Sequence, residues 1–227
     1  MPTRLHPRLA ALETNQTTVC TRLDAAMQRR TDALALGYVH HVGGTVPLSK
    51  AASLVDKLQA RFPTLKDNKN QAYYRKTKAR PRHKLIAFAN RSSAEFLFHL
   101  MTDLPQADDR ERWSDARNKR SRLCLYQYEA LEVTKAGQAG TSWTWQMQRP
   151  YIEEFKALAK LSIRAKAPRP LLAVIEESRT WPGFSGVRTQ RSALRASLTA
   201  EWIRSMPAIE PPPEWPRLRY LQRLRTR

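Results

Sequence analysis

The sequence predicts an α+β fold: a small antiparallel sheet with flanking helices and a mainly helical C-terminal third. Three observations carry this expectation. Apolar residues recur at intervals of three and four in several segments, two pairs of short apolar runs are separated by turn residues, and 41% of the 227 residues are hydrophobic, enough for a core.

Residues 8–36 read as a helix, with Leu12, Val19, Leu23, Met27 and Leu34 at helix-compatible intervals and no internal Pro or Gly until Gly37. A short apolar piece, Tyr38–Val42, then meets Gly43-Gly44, which reads as a turn. In the next helix Leu48, Ala51, Ala52, Val55, Leu58, Gln59 and Phe62 fall at intervals of three and four, nearly all on one face, with Pro47 at its first turn and Pro63 closing it. Lys84–Ala89 and Glu95–Met101, joined by Asn90-Arg91-Ser92-Ser93, form a hairpin pattern. A polar helix is expected over Asp108–Lys119. A second strand pair, Leu123–Val133 and Ser142–Gln148, surrounds the glycines of Lys135–Gly140; along it Trp143, Trp145 and Met147 alternate with Thr144, Gln146 and Gln148, and the tryptophans read as core.

Three helices are expected beyond Pro150: one with Ile152, Phe155, Ala159 and Ile163, one over Leu171–Ser178, and one over Val187–Met206 with Ser185 as its cap. This organisation predicts one globular domain over 1–206, with a subdivision near 150 as the alternative. Residues 207–227 form a tail in which Pro211-Pro212-Pro213 precedes an arginine-rich stretch.

Charge is the strongest functional signal. Forty Lys+Arg against 20 Asp+Glu give a net charge of +20, and self-repulsion of that size calls for a polyanionic partner. Arginine predominates, and its planar fork suits phosphate and base edges. The first eleven residues lack a charged-then-apolar leader, and the longest apolar runs, Leu85–Ala89 and Leu171–Ile175, are too short to span a bilayer. Cys20 and Cys124 form no CxxC motif or disulfide framework. The expectation is a cytoplasmic protein with nucleic acid, DNA or RNA, as its partner, no membrane association, and other subunits of a nucleoprotein complex as further candidates.

The densest candidate surface is Lys66–Lys84. Lys66, Lys69, Arg75, Lys76, Lys78, Arg80 and Arg82 can neutralise phosphates, and Tyr73 and Tyr74 can stack or donate hydroxyl contacts. If Lys69–Lys78 is helical, Lys69, Tyr73 and Lys76 fall together, and with the preceding helix they suggest a helix-turn-helix-like unit. Arg188 and Arg195, seven apart, share one side of the last helix. The tail adds Arg217, Arg219, Arg223, Arg225 and Arg227, interleaved with Trp215 and Tyr220.

Catalytic and metal-binding patterns are not found. His40-His41 are adjacent and point to opposite faces of a strand, so they do not chelate one ion. Glu154-Phe155-Lys156 sits on an expected helix with no suitably close strand aspartate upstream, so it does not read as a nuclease core. Asp103, Asp108, Asp109 and Asp115 read as a solvated acidic face, and Gly183-Phe184-Ser185-Gly186 lacks the spacing and lysine of a phosphate loop. No catalytic residue, metal or cofactor is assigned.

Two alternatives to a non-enzymatic DNA-binding factor stay open. One is a metal-independent endoribonuclease using His40, His41, His83, Tyr73, Tyr74 or Arg75. The other is a structural subunit of an RNA-guided ribonucleoprotein. The segment PGFSGVRTQRSALRASLTAEW (Pro182–Trp202), with Trp143-Thr144-Trp145 ahead of a helix, resembles uncharacterised proteins of bacterial conjugative plasmids and integrative conjugative elements. The resemblance covers the C-terminal third and implies a role in maintenance, transfer or replication of such an element.

Overall fold

In a computed structural model, residues 11, 13–106, 110–134, 137, 140–206 and 214–215 are described. They fall into two compact units. The first holds the described residues up to Leu123 together with those of Glu132–Trp143, and the second holds Cys124–Leu131 and those from Thr144 onward. The fold is α+β, with helices at the C-terminal end, and the strands form two sheets.

The first sheet has the order β1-β3-β4-β2-β5, from β1 (Thr17–Cys20), β2 (His40–Pro47), β3 (His83–Asn90), β4 (Glu95–Thr102) and β5 (Ser114–Asp115). All its pairings are antiparallel except that of β1 with β3. The hairpin expected around Asn90 forms, and the Asn90 side chain accepts from the N–H groups of Ser92 and Ser93 to close the turn.

The single helix expected over 8–36 is overturned. Among its described residues Thr17–Cys20 form strand β1, and only Leu23–Ala35 is helical (α1). Thr17, Thr18 and Val19 are β-branched, and the Thr14 hydroxyl accepts from the N–H groups of Gln16 and Thr17, an alternative to helical bonding. Helix α1 buries Ala26, Met27, Arg30, Ala33 and Leu34, spaced three and four apart, and packs on β3 and β1.

On the opposite sheet face lies α2 (Ala51–Arg61), preceded by a 3₁₀ turn at Leu48–Lys50 and followed by another at Pro63–Lys66, after which comes α3 (Lys69–Thr77). Ala51, Val55, Phe62 and Leu65 join Val19, Leu85, Ala87, Ala89, Phe96 and Leu100 in one apolar core. Gly43-Gly44 is no turn: both glycines lie inside β2, paired with His99 and Phe98 of β4. A Cβ on Gly43 would stand 2.6 Å from the His99 ring and 2.6 Å from the Phe98 carbonyl oxygen, so the glycine is there for close approach.

The expected helix over 108–119 is also overturned for its described part. The Asp115 carboxylate accepts from the N–H of Arg117 and the Asn118 side chain from that of Arg120, successive Asx turns that compete with helix.

The second sheet has the order β6 (Cys124–Leu125), β7 (Tyr128–Thr134), β8 (Thr141–Met147). The expected continuous strand over Leu123–Val133 is broken by a two-residue turn at Tyr126-Gln127, where Tyr126 adopts φ 51°. The helices that follow are α4 (Arg149–Arg164), α5 (Pro168–Glu177) and α6 (Ser185–Ser205), with α4 packed against both others. Trp145 and Met147 are buried, as their strand pattern predicts, whereas Trp143 is half-buried.

Ser185 does not cap α6, whose N-cap is Phe184. The Gly186 N–H instead donates to Thr144 Oγ1 of β8, and Ser185 Oγ lies 2.8 Å from the same hydroxyl. Gln190 completes the junction: its amide accepts from Met147 N and donates to Met147 O, at 2.8 Å each, covering the end of an edge strand.

A candidate nucleic-acid interface on helix α3

The basic segment after α2 folds as α3, started by a complete capping box in which Asn68 and Gln71 exchange side-chain and backbone hydrogen bonds. It ends without glycine. Ala79 takes φ 49°, while the N–H groups of Ala79 and Arg80 donate to the carbonyls of Lys76 and Arg75 in a Schellman arrangement. Ala72 is the one buried residue of α3, so almost the whole helix surface faces solvent.

Lys69, Tyr73 and Lys76 lie on one face, at spacings of four and three. Tyr74 and Lys78 form the adjoining stripe, with the Lys78 ammonium 5.9 Å from the Tyr74 ring centre. Tyr73 is 69% exposed and Tyr74 54%, more than packing asks of either ring. Lys66, Lys69, Lys76, Lys78 and Arg80 are exposed as well.

Two members of the predicted set sit differently. Arg75 donates through Nε to the buried Asp67 at 2.5 Å, tying α3 to the preceding turn. Arg82 donates through its backbone N–H and its Nε to Asp103, and its guanidinium lies 4.7 Å over the Tyr38 ring. Lys84, two residues on, reaches the same ring at 5.7 Å, and burial lowers its pKa. Thus part of the basic run is internal scaffolding. The helix-turn-helix resemblance weakens too: seven residues, Phe62–Asn68, separate α2 from α3, against a turn of three or four in that motif.

In the second unit Arg195 is exposed on α6, whereas Arg188 donates to the Gly183 carbonyl at 2.9 Å. Arg217, Arg219, Arg223, Arg225 and Arg227 lie outside the described residues, as do Asp108 and Asp109. Sequence reasoning missed Asp103 as the anchor of Arg82, and Arg30 altogether. Arg30 is fully buried and donates to His99 Nδ1, Ala26 O and Ile86 O, each at 3.0 Å. Burial among these neutral acceptors pushes its pKa down to about 10.

The histidines do not converge. His40 and His83 share a sheet face, each paired with Thr102 from one side, while His41 occupies the other face with His99. His41 donates to Ser121 O at 3.0 Å, and His83 Nδ1 lies 2.7 Å from the Thr64 hydroxyl. Among the described residues no three His, Cys, Asp or Glu side chains are grouped to hold a metal ion. Among them also, no helix is long and apolar enough to cross a membrane.

Burial lowers the pKa of His41, and that of His99 well below the ordinary value, with Arg30 adding to the shift at His99. Both imidazoles therefore take up protons in the unfolded chain first. As pH falls below about 6.5, stability should drop by up to ~1.4 kcal/mol per pH unit for each histidine, until the folded-state pKa is reached. Thermal melts at pH 7.5 and 5.5 check this, and His99→Gln, which keeps an acceptor for Arg30, should flatten the dependence.

Comparison of the chain with protein-family profiles, curated proteins and solved structures finds no match to any of them.

Proposed function

We propose that this protein binds nucleic acid through the exposed face of α3, as a non-enzymatic DNA-binding accessory factor of a bacterial mobile element. The observation that carries the reading is the pair Tyr73 and Tyr74, both exposed and set among Lys69, Lys76 and Lys78 on a helix anchored by Ala72, a capping box and one ion pair. Lysines neutralise phosphates, and tyrosine rings offer stacking faces to bases. The net charge of +20 supports the same partner. The mobile-element setting rests on the resemblance of Pro182–Trp202.

The test is the salt dependence of binding to labelled duplex and single-stranded DNA and to RNA by fluorescence anisotropy. Neutralising four phosphates gives a log–log slope of roughly −3 to −4, a loss of about 100-fold between 50 and 200 mM salt. A flat dependence, or no binding at low salt, overturns the proposal. Discrete RNA retained through purification from the native cell would favour a ribonucleoprotein role instead.

A further inference from the structure

Apart from α3, the first unit contains a cavity of about 570 Å³ lined by Arg61, Phe62, Pro63, Thr64, His83, Gln106 and Arg110. Its size falls in the roughly 300–1,000 Å³ range of small-ligand pockets. Part of the wall is aromatic: the Phe62 and His83 ring centres are 4.7 Å apart with their planes inclined by 43°, and the Trp113 ring centre is 6.0 Å from that of His83. Thr64 and Gln106 add polar groups. Two guanidiniums line the space, and among the described residues no carboxylate does.

The guanidiniums differ in availability. Arg61 pairs with Glu111 and lies 5.2 Å over the Phe62 ring, so it is held in place. Arg110 is exposed, and among the described residues no carboxylate pairs with it. A pocket with aromatic rings, hydrogen-bonding groups and an available guanidinium suits a ligand that joins a flat heterocycle to an anion.

We infer that this cavity holds a single nucleotide, its base against the Phe62–His83 wall and its phosphate at Arg110. The inference rests on the proposed nucleic-acid function and adds a one-nucleotide site distinct from the α3 surface. Either a free nucleoside monophosphate or the phosphorylated end of a strand supplies that chemistry.

The experiment titrates the whole protein with 5′-AMP and 5′-dAMP, following the His83 ring signals by NMR, with adenosine and inorganic phosphate as comparison probes. Nucleotide should shift the His83 signals and bind at least tenfold more tightly than either comparison probe. Arg110→Glu, an exposed substitution, should weaken nucleotide binding at least tenfold. The double variant Tyr73→Ala, Tyr74→Ala should leave it unchanged. A 5′-phosphorylated oligonucleotide that shifts His83 where its 5′-hydroxyl counterpart does not identifies the strand end as ligand; equal behaviour of the two identifies the free nucleotide.

Absence of His83 shifts, equal binding of phosphate and nucleotide, or an unaffected Arg110→Glu variant overturns the inference. So does loss of nucleotide binding in the tyrosine double variant. Polymer binding persisting through any of these results leaves the α3 reading standing, so the two failures are separable.

Discussion

Replacing Tyr73 and Tyr74 together with alanine is expected to weaken binding to single-stranded DNA by about 30-fold or more, since base–aromatic stacking contributes roughly 1–3 kcal/mol per base. Both rings are exposed and neither belongs to the apolar core, so the variant should melt with the parent protein. The choice of residues follows from the structure. Arg75 lies in the same basic run, but removing it would unpair the buried Asp67, confounding a binding defect with a folding one. Lys69→Ala with Lys76→Ala should instead lower the salt slope by about two, one for each phosphate left without its lysine. Deleting residues 217–227 removes arginines that follow three prolines; we expect slower association and a lower salt slope, with a smaller affinity loss than the tyrosine variant. Anisotropy and stopped-flow measurements check each expectation. A tyrosine variant that binds normally, beside a tail deletion that abolishes binding, would move the principal site to the tail.

Gly43→Ala should be the most damaging small substitution in the first unit, costing about 3 kcal/mol or more and lowering Tm by roughly 10 °C. The added methyl would meet both the His99 ring and the Phe98 carbonyl oxygen at 2.6 Å. His99 cannot turn aside without cost, because its Nδ1 accepts from Arg30, whose buried guanidinium has only neutral acceptors. Relief of the clash therefore breaks a hydrogen bond to a buried cation or shifts β2 from β4. Gly44→Ala is the control. Its Cβ would meet only Phe98 ring carbons at 3.4 and 3.6 Å, and the change should cost less than about 1 kcal/mol. Similar melting of the two variants would show that the His99 contact does not constrain β2.

The periodic faces of α2 and α4, and the Asn90 hairpin, were legible because their signals are local: intervals of three and four, Pro150 in the first turn of α4, and Asn and Ser in the loop, whereas Pro47 ends β2 rather than starting α2. Errors arose where a local signal had a distant cause. Gly43-Gly44 has the composition of a turn, yet the glycine is required by His99, a residue 56 positions away on another strand. The β6–β7 turn carries Tyr-Gln rather than Asn or Gly, so nothing local marked it.

The sequence by itself determined the α+β class, the excess of positive charge and the density of cations and tyrosines between Lys66 and Lys84, because composition and short-range periodicity record these directly. Only the tertiary structure decided which of those groups face outward. Asp67 takes Arg75, Asp103 takes Arg82, and Tyr38 lies beneath Arg82 and Lys84, leaving Lys69, Tyr73, Tyr74, Lys76 and Lys78 exposed on α3 and at its end. Charge is a property of each residue, but availability depends on which partners the fold brings within hydrogen-bond reach, and those partners can be distant in the chain.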